Sequence, residues 1–129
     1  MIRFFIKNEH GSTKFDMPTE ELFDHLGCIG ILEDIPIRSS EKIQLEYYPT
    51  DASDKIAEVI CDRLSPEDKI SEVNALCERL ESAWRISYAD LKTALDTLDI
   101  HGAKQICEVM DNLEFQAQRS MNMQLSQRG

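Results

Sequence analysis

Apolar and polar positions along the chain change period once, near residue 50. Up to that point the alternation is that of strands; beyond it the apolar residues recur at steps of three and four. Residues 2–7, IRFFIK, are β-branched and aromatic and predict a strand. Asn8, Glu9, His10 and Gly11 supply turn chemistry, and residues 12–17, STKFDM, predict the returning strand of a hairpin. Pro18 stops that strand and opens a short helix, PTEELFDHL, whose Leu22, Phe23 and Leu26 would face the sheet, with Gly27 as its terminator. Residues 34–40 predict an extended segment around Ile35-Pro36-Ile37. Residues 41–48, EKIQLEYY, alternate Ile43, Leu45 and Tyr47 against Lys42, Gln44 and Glu46, the pattern of a strand with one wet face, ending at Pro49.

The second half reads as helices. Ser53 is placed to cap DKIAEVICDRL, with Ile56, Val59, Ile60 and Leu64 inward. Ser65, Pro66 and Asp68 predict a capped start for a helix over 66–82, in which Ile70, Val73, Leu76, Cys77 and Leu80 form one apolar stripe that reaches Trp84. Ser87 with Asp90 predicts a second capping box ahead of LKTALDTL. Gly102 breaks the chain before a last helix over roughly 103–118, and the Gln- and Met-rich tail frays. The fold class is therefore α+β: a small N-terminal antiparallel β-sheet with one short helix, followed by a cluster of about four short helices. The divisions are a ββαβ module over 1–50, an acidic helical module over 51–118 and a tail over 119–129.

Charge changes this picture. The chain of 129 residues carries a formal net charge of −10. Residues 51–114 hold fifteen acids against seven bases, while residues 115–129 hold two arginines and no acid. An acidic surface argues against direct binding of nucleic acid or of an anionic membrane, because phosphate recognition needs Lys and Arg. It favours basic proteins, including those that hold DNA. Many helical acids stand three or four apart, as in Asp54, Glu58 and Asp62, or Glu78 and Glu81, which sets carboxylates about 6 Å apart on one face. Phosphates along a DNA strand have a similar spacing. The plain alternative is a solvated face that keeps the protein soluble.

Candidate chemistry is sparse. No phosphate-binding glycine loop, nucleophile elbow or zinc-binding helix motif occurs. Gly27 and Gly30 predict a turn. His25 reads as a packing or surface residue, and His101, beside Gly102, as a local hydrogen-bonding group. Tyr47, Tyr48, Trp84 and Tyr88 lack the interleaved cations that base stacking requires. Cys28, Cys61, Cys77 and Cys107 are far apart and read as free thiols of a cytoplasmic protein, with no ligand spacing for a metal. No cofactor and no catalytic residue is expected. No apolar run approaches the length of a membrane span.

Three stretches carry a resemblance: FDMPTEELFDHLGCIGI, IQLEYYPTDASD and, most specifically, ISEVNALCERLESA, with Glu72, Val73, Asn74, Leu76 and Leu80 in the pattern; VMDNLE at 109–114 extends it. Together they make residues 1–115 similar to the ArdA-type antirestriction proteins of conjugative plasmids and transposons. The resemblance implies an acidic DNA mimic, without enzymatic activity, that acts as a homodimer on a DNA-binding bacterial defence enzyme. That enzyme would be a restriction–modification enzyme or, for a shortened relative, a CRISPR nuclease. This chain has no room for the family's third module. The acidic face would comprise Asp54, Glu58, Asp62, Glu67, Asp68, Glu72, Glu78, Glu81, Glu108 and Asp111. The competing reading is a helical adaptor of a mobile genetic element, binding through an apolar patch at Trp84, Tyr88 and the Met110–Met123 region.

Overall fold

A computed structural model describes residues 1–83 and 86–114. Strand β1 (Ile2–Asn8) turns at Glu9-His10 into β2 (Gly11–Met17). The short helix α1 (Leu22–Gly27) follows, and after an irregular stretch β3 (Gln44–Pro49) returns to the free side of β1. The sheet is antiparallel in the order β2-β1-β3. Ile2 faces Met17 on one side and Pro49 on the other; Phe4 faces Phe15 and Tyr47; Ile6 faces Thr13 and Leu45. Alternation puts these residues on the covered face and Arg3, Phe5 and Lys7 on the open one.

An aromatic row crosses the covered face. His25 of α1 stacks on Phe15 at 4.9 Å, Phe15 lies 6.0 Å from Phe4, and Phe4 lies 5.4 Å from Tyr47. Such offset pairs add to area burial. The row ties α1 to all three strands, and burial pushes the Tyr47 phenol up in pKa. Gly30 donates its N–H to Gly27 O at 3.0 Å, so this glycine pair does form a turn, with Gly30 at φ +76.

The helices are α2 (Lys55–Arg63), α3 (Ile70–Ser82), α4 (Tyr88–Thr97) and α5, described over 103–114. Ser87 caps α4 by accepting from Asp90 N–H, as its position predicts. Two other starts differ from expectation. Ser53 does not cap α2: its hydroxyl and its N–H both go to the Asp51 carboxylate, and Asp54 caps instead, accepting from Ala57 N–H at 3.1 Å.

The start of α3 lies four residues later than the Ser65-Pro66 signal. Residues 65–68 form a turn closed by Asp68 N–H to Ser65 O. The reason is a long-range backbone ladder. Pro36 and Lys69 form an antiparallel bridge, Ile37 N–H donates to Asp68 O at 2.9 Å, and Ile70 N–H donates to Ile35 O at 2.8 Å. Lys69 is thereby held extended, at φ −74 and ψ 144. Lys69 has no acceptor with which to cap the helix. Glu72 supplies half a capping box by accepting from Lys69 N–H, and Asp34 reaches across from the irregular stretch to accept from Ser71 N–H and Ser71 Oγ–H. The extended segment expected around Ile35-Pro36-Ile37 thus provides both a ladder and a cap.

One hydrophobic cluster runs from Ile2, Phe4 and Leu26 through Ile60, Val73 and Leu76 to Leu95, Ile106 and Met110. The sheet and the helices share it.

Candidate acidic interface

The ten acids that the sequence places on one face separate by environment. Asp68 is not on the surface at all: it is 8% exposed. Its Oδ2 accepts from Ser65 N–H and from Ala103 N–H, each at 2.9 Å, so it caps α5 from outside that helix. Gly102 makes room for it; a Cβ there would lie 3.3 Å from Asp68 Oδ1, and the backbone at φ +98 favours glycine. Asp68 holds three segments together, and is removed from the candidate interface. The Asp54 and Glu72 side chains are half-buried and serve the helix starts described above.

Three further acids are exposed and already matched by cations. Glu67 lies 2.7 Å from Arg38, and Glu58 lies 3.7 Å from Lys55. Asp111 shares Arg79 with Glu114, joining α5 to α3; Glu114 first and Asp111 second raise the Arg79 pKa further above its ordinary value. Away from the ten, Arg3 holds Asp16, and Arg63 holds Asp96, which also takes Lys92. The Lys92 ammonium, then Arg63, keep the Asp96 carboxyl below the usual range, as Arg3 does for Asp16. Each arginine among the described residues is thus engaged by a carboxylate.

Asp62, Glu78, Glu81 and Glu108 remain. All four are exposed, and none has a cation within salt-bridge distance among the described residues. Glu78 and Glu81 line a shallow open cleft of about 500 Å³ with Pro18, Thr19, Glu20 and Ser82. Glu20 is the acid that the sequence reading missed. It stands far from α3 in the chain and is brought there by Asn74, which clamps Thr19 through both amide atoms: Oδ1 accepts from Thr19 N–H at 2.9 Å and Nδ2 donates to Thr19 O at 2.8 Å. A single polar residue on the buried side of an amphipathic helix was the available signal. Asp62 on α2 and Glu108 on α5 lie outside that cleft.

Of the apolar patch of the adaptor reading, the described residues bear on Tyr88 and the Met110 end alone. Met110 is fully buried in the core, while Tyr88 is 36% exposed. Trp84 and residues 115–123 lie outside the described residues. Burial pushes Cys61 and Cys77 up to about 12 and raises Cys107, so these thiols stay protonated. No group of His, Cys, Asp and Glu among the described residues has the arrangement of a metal site. No described helix is long and apolar enough to cross a membrane. His101 Nε2 lies 3.1 Å from the Asp99 carboxylate, a local contact at a helix junction. No family model, curated protein or solved structure matches the chain.

Proposed function

We propose that the protein is a non-enzymatic acidic inhibitor that occupies the DNA-binding surface of a bacterial defence enzyme, either a restriction–modification enzyme or a CRISPR nuclease. One observation carries the reading. Asp62, Glu78, Glu81 and Glu108 are exposed without a cation partner among the described residues, and Glu20 joins two of them at one cleft, while the described arginines are all spent on internal pairs. The like-charged pair Glu78 and Glu81 costs a few tenths of a kcal/mol on an isolated helix. A cationic DNA-binding groove would reverse the sign of that term and raise the association rate. The similarity of ISEVNALCERLESA to the ArdA-type proteins supports the same reading.

The test is inhibition of DNA cleavage by a type I restriction enzyme and by a CRISPR nuclease, measured over a salt series. Inhibition should fall steeply as salt rises. Asp62→Asn, Glu78→Gln, Glu81→Gln and Glu108→Gln should each weaken it by less than about fivefold, the size of one exposed pair. The combined variant should abolish it. Inhibition that survives high salt or the combined variant excludes charge mimicry by these helices.

A further inference from the structure

The two borders of the sheet differ. Thr50 N–H donates to Met1 O, which directs the odd-numbered main-chain groups of β1 toward β3. Alternation then turns Ile2, Phe4, Ile6 and Asn8 toward β2. Their register partners are Met17, Phe15, Thr13 and Gly11, which spend their own N–H and C=O groups on β1. Ser12, Lys14 and Asp16 therefore point main-chain groups away from the sheet. All three are exposed, and those groups have no partner among the described residues. The border of β3 is occupied at its start and blocked at its end, with the main-chain groups of Tyr47 facing outward between them. Ser39 Oγ accepts from Leu45 N–H at 2.9 Å and donates to Leu45 O at 3.2 Å, and Pro49 has no N–H to offer.

An open border of this kind pairs with another strand unless something prevents it. Here the sequence is its own complement. An antiparallel two-fold pairing centred on Phe15 sets Lys14 opposite Asp16 of the second copy, and Asp16 opposite its Lys14, each Asp16 carboxylate being shared with the Arg3 that holds it and half exposed. Those are the residues whose main-chain groups are free, so each facing pair exchanges both of its bonds. Phe15 meets its counterpart on the covered face, next to the His25 ring stacked at 4.9 Å. Thr13 lies opposite Met17, and Pro18 ends the match. A shift of two residues would set Lys14 against Lys14, which is repulsive. A shallow depression of about 380 Å³, lined by Arg3, Lys14, Phe15 and Asp16, lies at this border.

We infer that Thr13–Met17 of β2 is a self-pairing edge, and that its partner is the same segment of a second copy of this chain. Two three-stranded sheets join there into one continuous sheet. The acidic helices take no part, so this inference stands or falls apart from the proposed function.

Sedimentation equilibrium of the full chain tests it, in salt near 0.15 M, where a screening length of about 8 Å weakens repulsion between the net charges. The wild type should self-associate in the micromolar range. Lys14→Glu and Asp16→Lys each set like charges against each other twice across the axis, and each should weaken association at least about tenfold. Mixed together, the two variants place opposite charges across both pairs and should associate about as well as the wild type. Lys14→Pro removes an N–H that the monomer does not use, and should abolish pairing while circular dichroism and thermal midpoint show an intact fold. A wild type that stays monomeric overturns the inference and leaves the edge to a foreign strand. Association unchanged in the charge variants, or a mixture no better than either variant alone, also overturns it.

Discussion

Asn74 and Asp68 each do work out of proportion to one side chain, because each satisfies backbone groups of a distant segment. Asn74 fixes the Thr19 loop against α3 with a reciprocal pair of hydrogen bonds. Asn74→Ala should cost about 1–3 kcal/mol, since both Thr19 groups lose a half-buried partner. Thermal denaturation should register that as a fall of about 4 °C for each kcal/mol. Asp68→Ala should cost about 3 kcal/mol or more, because two N–H groups lose a charged acceptor at once. Asp68→Asn keeps an acceptor and should lose less; equal losses in the two variants would sink the assignment. Cys77 adds a pH term. Burial pushes its thiol up to about 12, from an ordinary value of 9.0. The unfolded chain therefore sheds this proton first as pH rises. The stabilisation is fully present below pH 9 and declines between about 9 and 12. Cys77→Val should flatten the fall of the thermal midpoint between about pH 8.5 and 10.5, and an unchanged slope would show that the thiol is not protected.

The elements show what the sequence could and could not reveal. The hairpin, β3 and the Ser87 cap of α4 follow from local patterning, because alternation, turn residues and a cap hydroxyl act within a few residues. Helix α1 forms where expected but starts at Leu22 rather than Pro18, and its Phe23 is exposed instead of facing the sheet. The start of α3 does not. Ser65, Pro66 and Asp68 form a locally sound cap signal, but the ladder from Ile35 and Ile37 extends the chain through Lys69, and Asp34 supplies the cap from another segment. Long-range pairing of this kind leaves no trace in spacing. The same limit applies to the acidic face: spacing along a helix places carboxylates on one side, yet cannot say that Asp68 turns inward or that Asp111 belongs to Arg79. Asp34→Ala should cost about 1 kcal/mol as a lost helix cap. Hydrogen exchange at Ser71 and Glu72 should quicken more than exchange in the middle of α3, and uniform protection would refute the capping role.

At the scale of the whole molecule, arginines and helical acids are disposed differently. The described arginines are spent on internal pairs such as Arg79 with Asp111 and Glu114, while Asp62, Glu78, Glu81 and Glu108 have no cation partner among the described residues. That arrangement suits a partner that brings its own positive charge. The sheet border free at Lys14 and Asp16 ends at Met17, next to the Pro18 that lines the cleft with Glu78 and Glu81. The common core has one more consequence. Asp51, Ala52 and Ser53 form an exposed turn between β3 and α2. A protease nick in that turn would sever the peptide and yet release nothing. The two fragments would remain one particle, fastened by Asn74 to Thr19, by Asp34 to Ser71 and by the apolar cluster that both supply. They would come apart in denaturant and find each other again when it is diluted, so the chain is a candidate for splitting into a complementing pair.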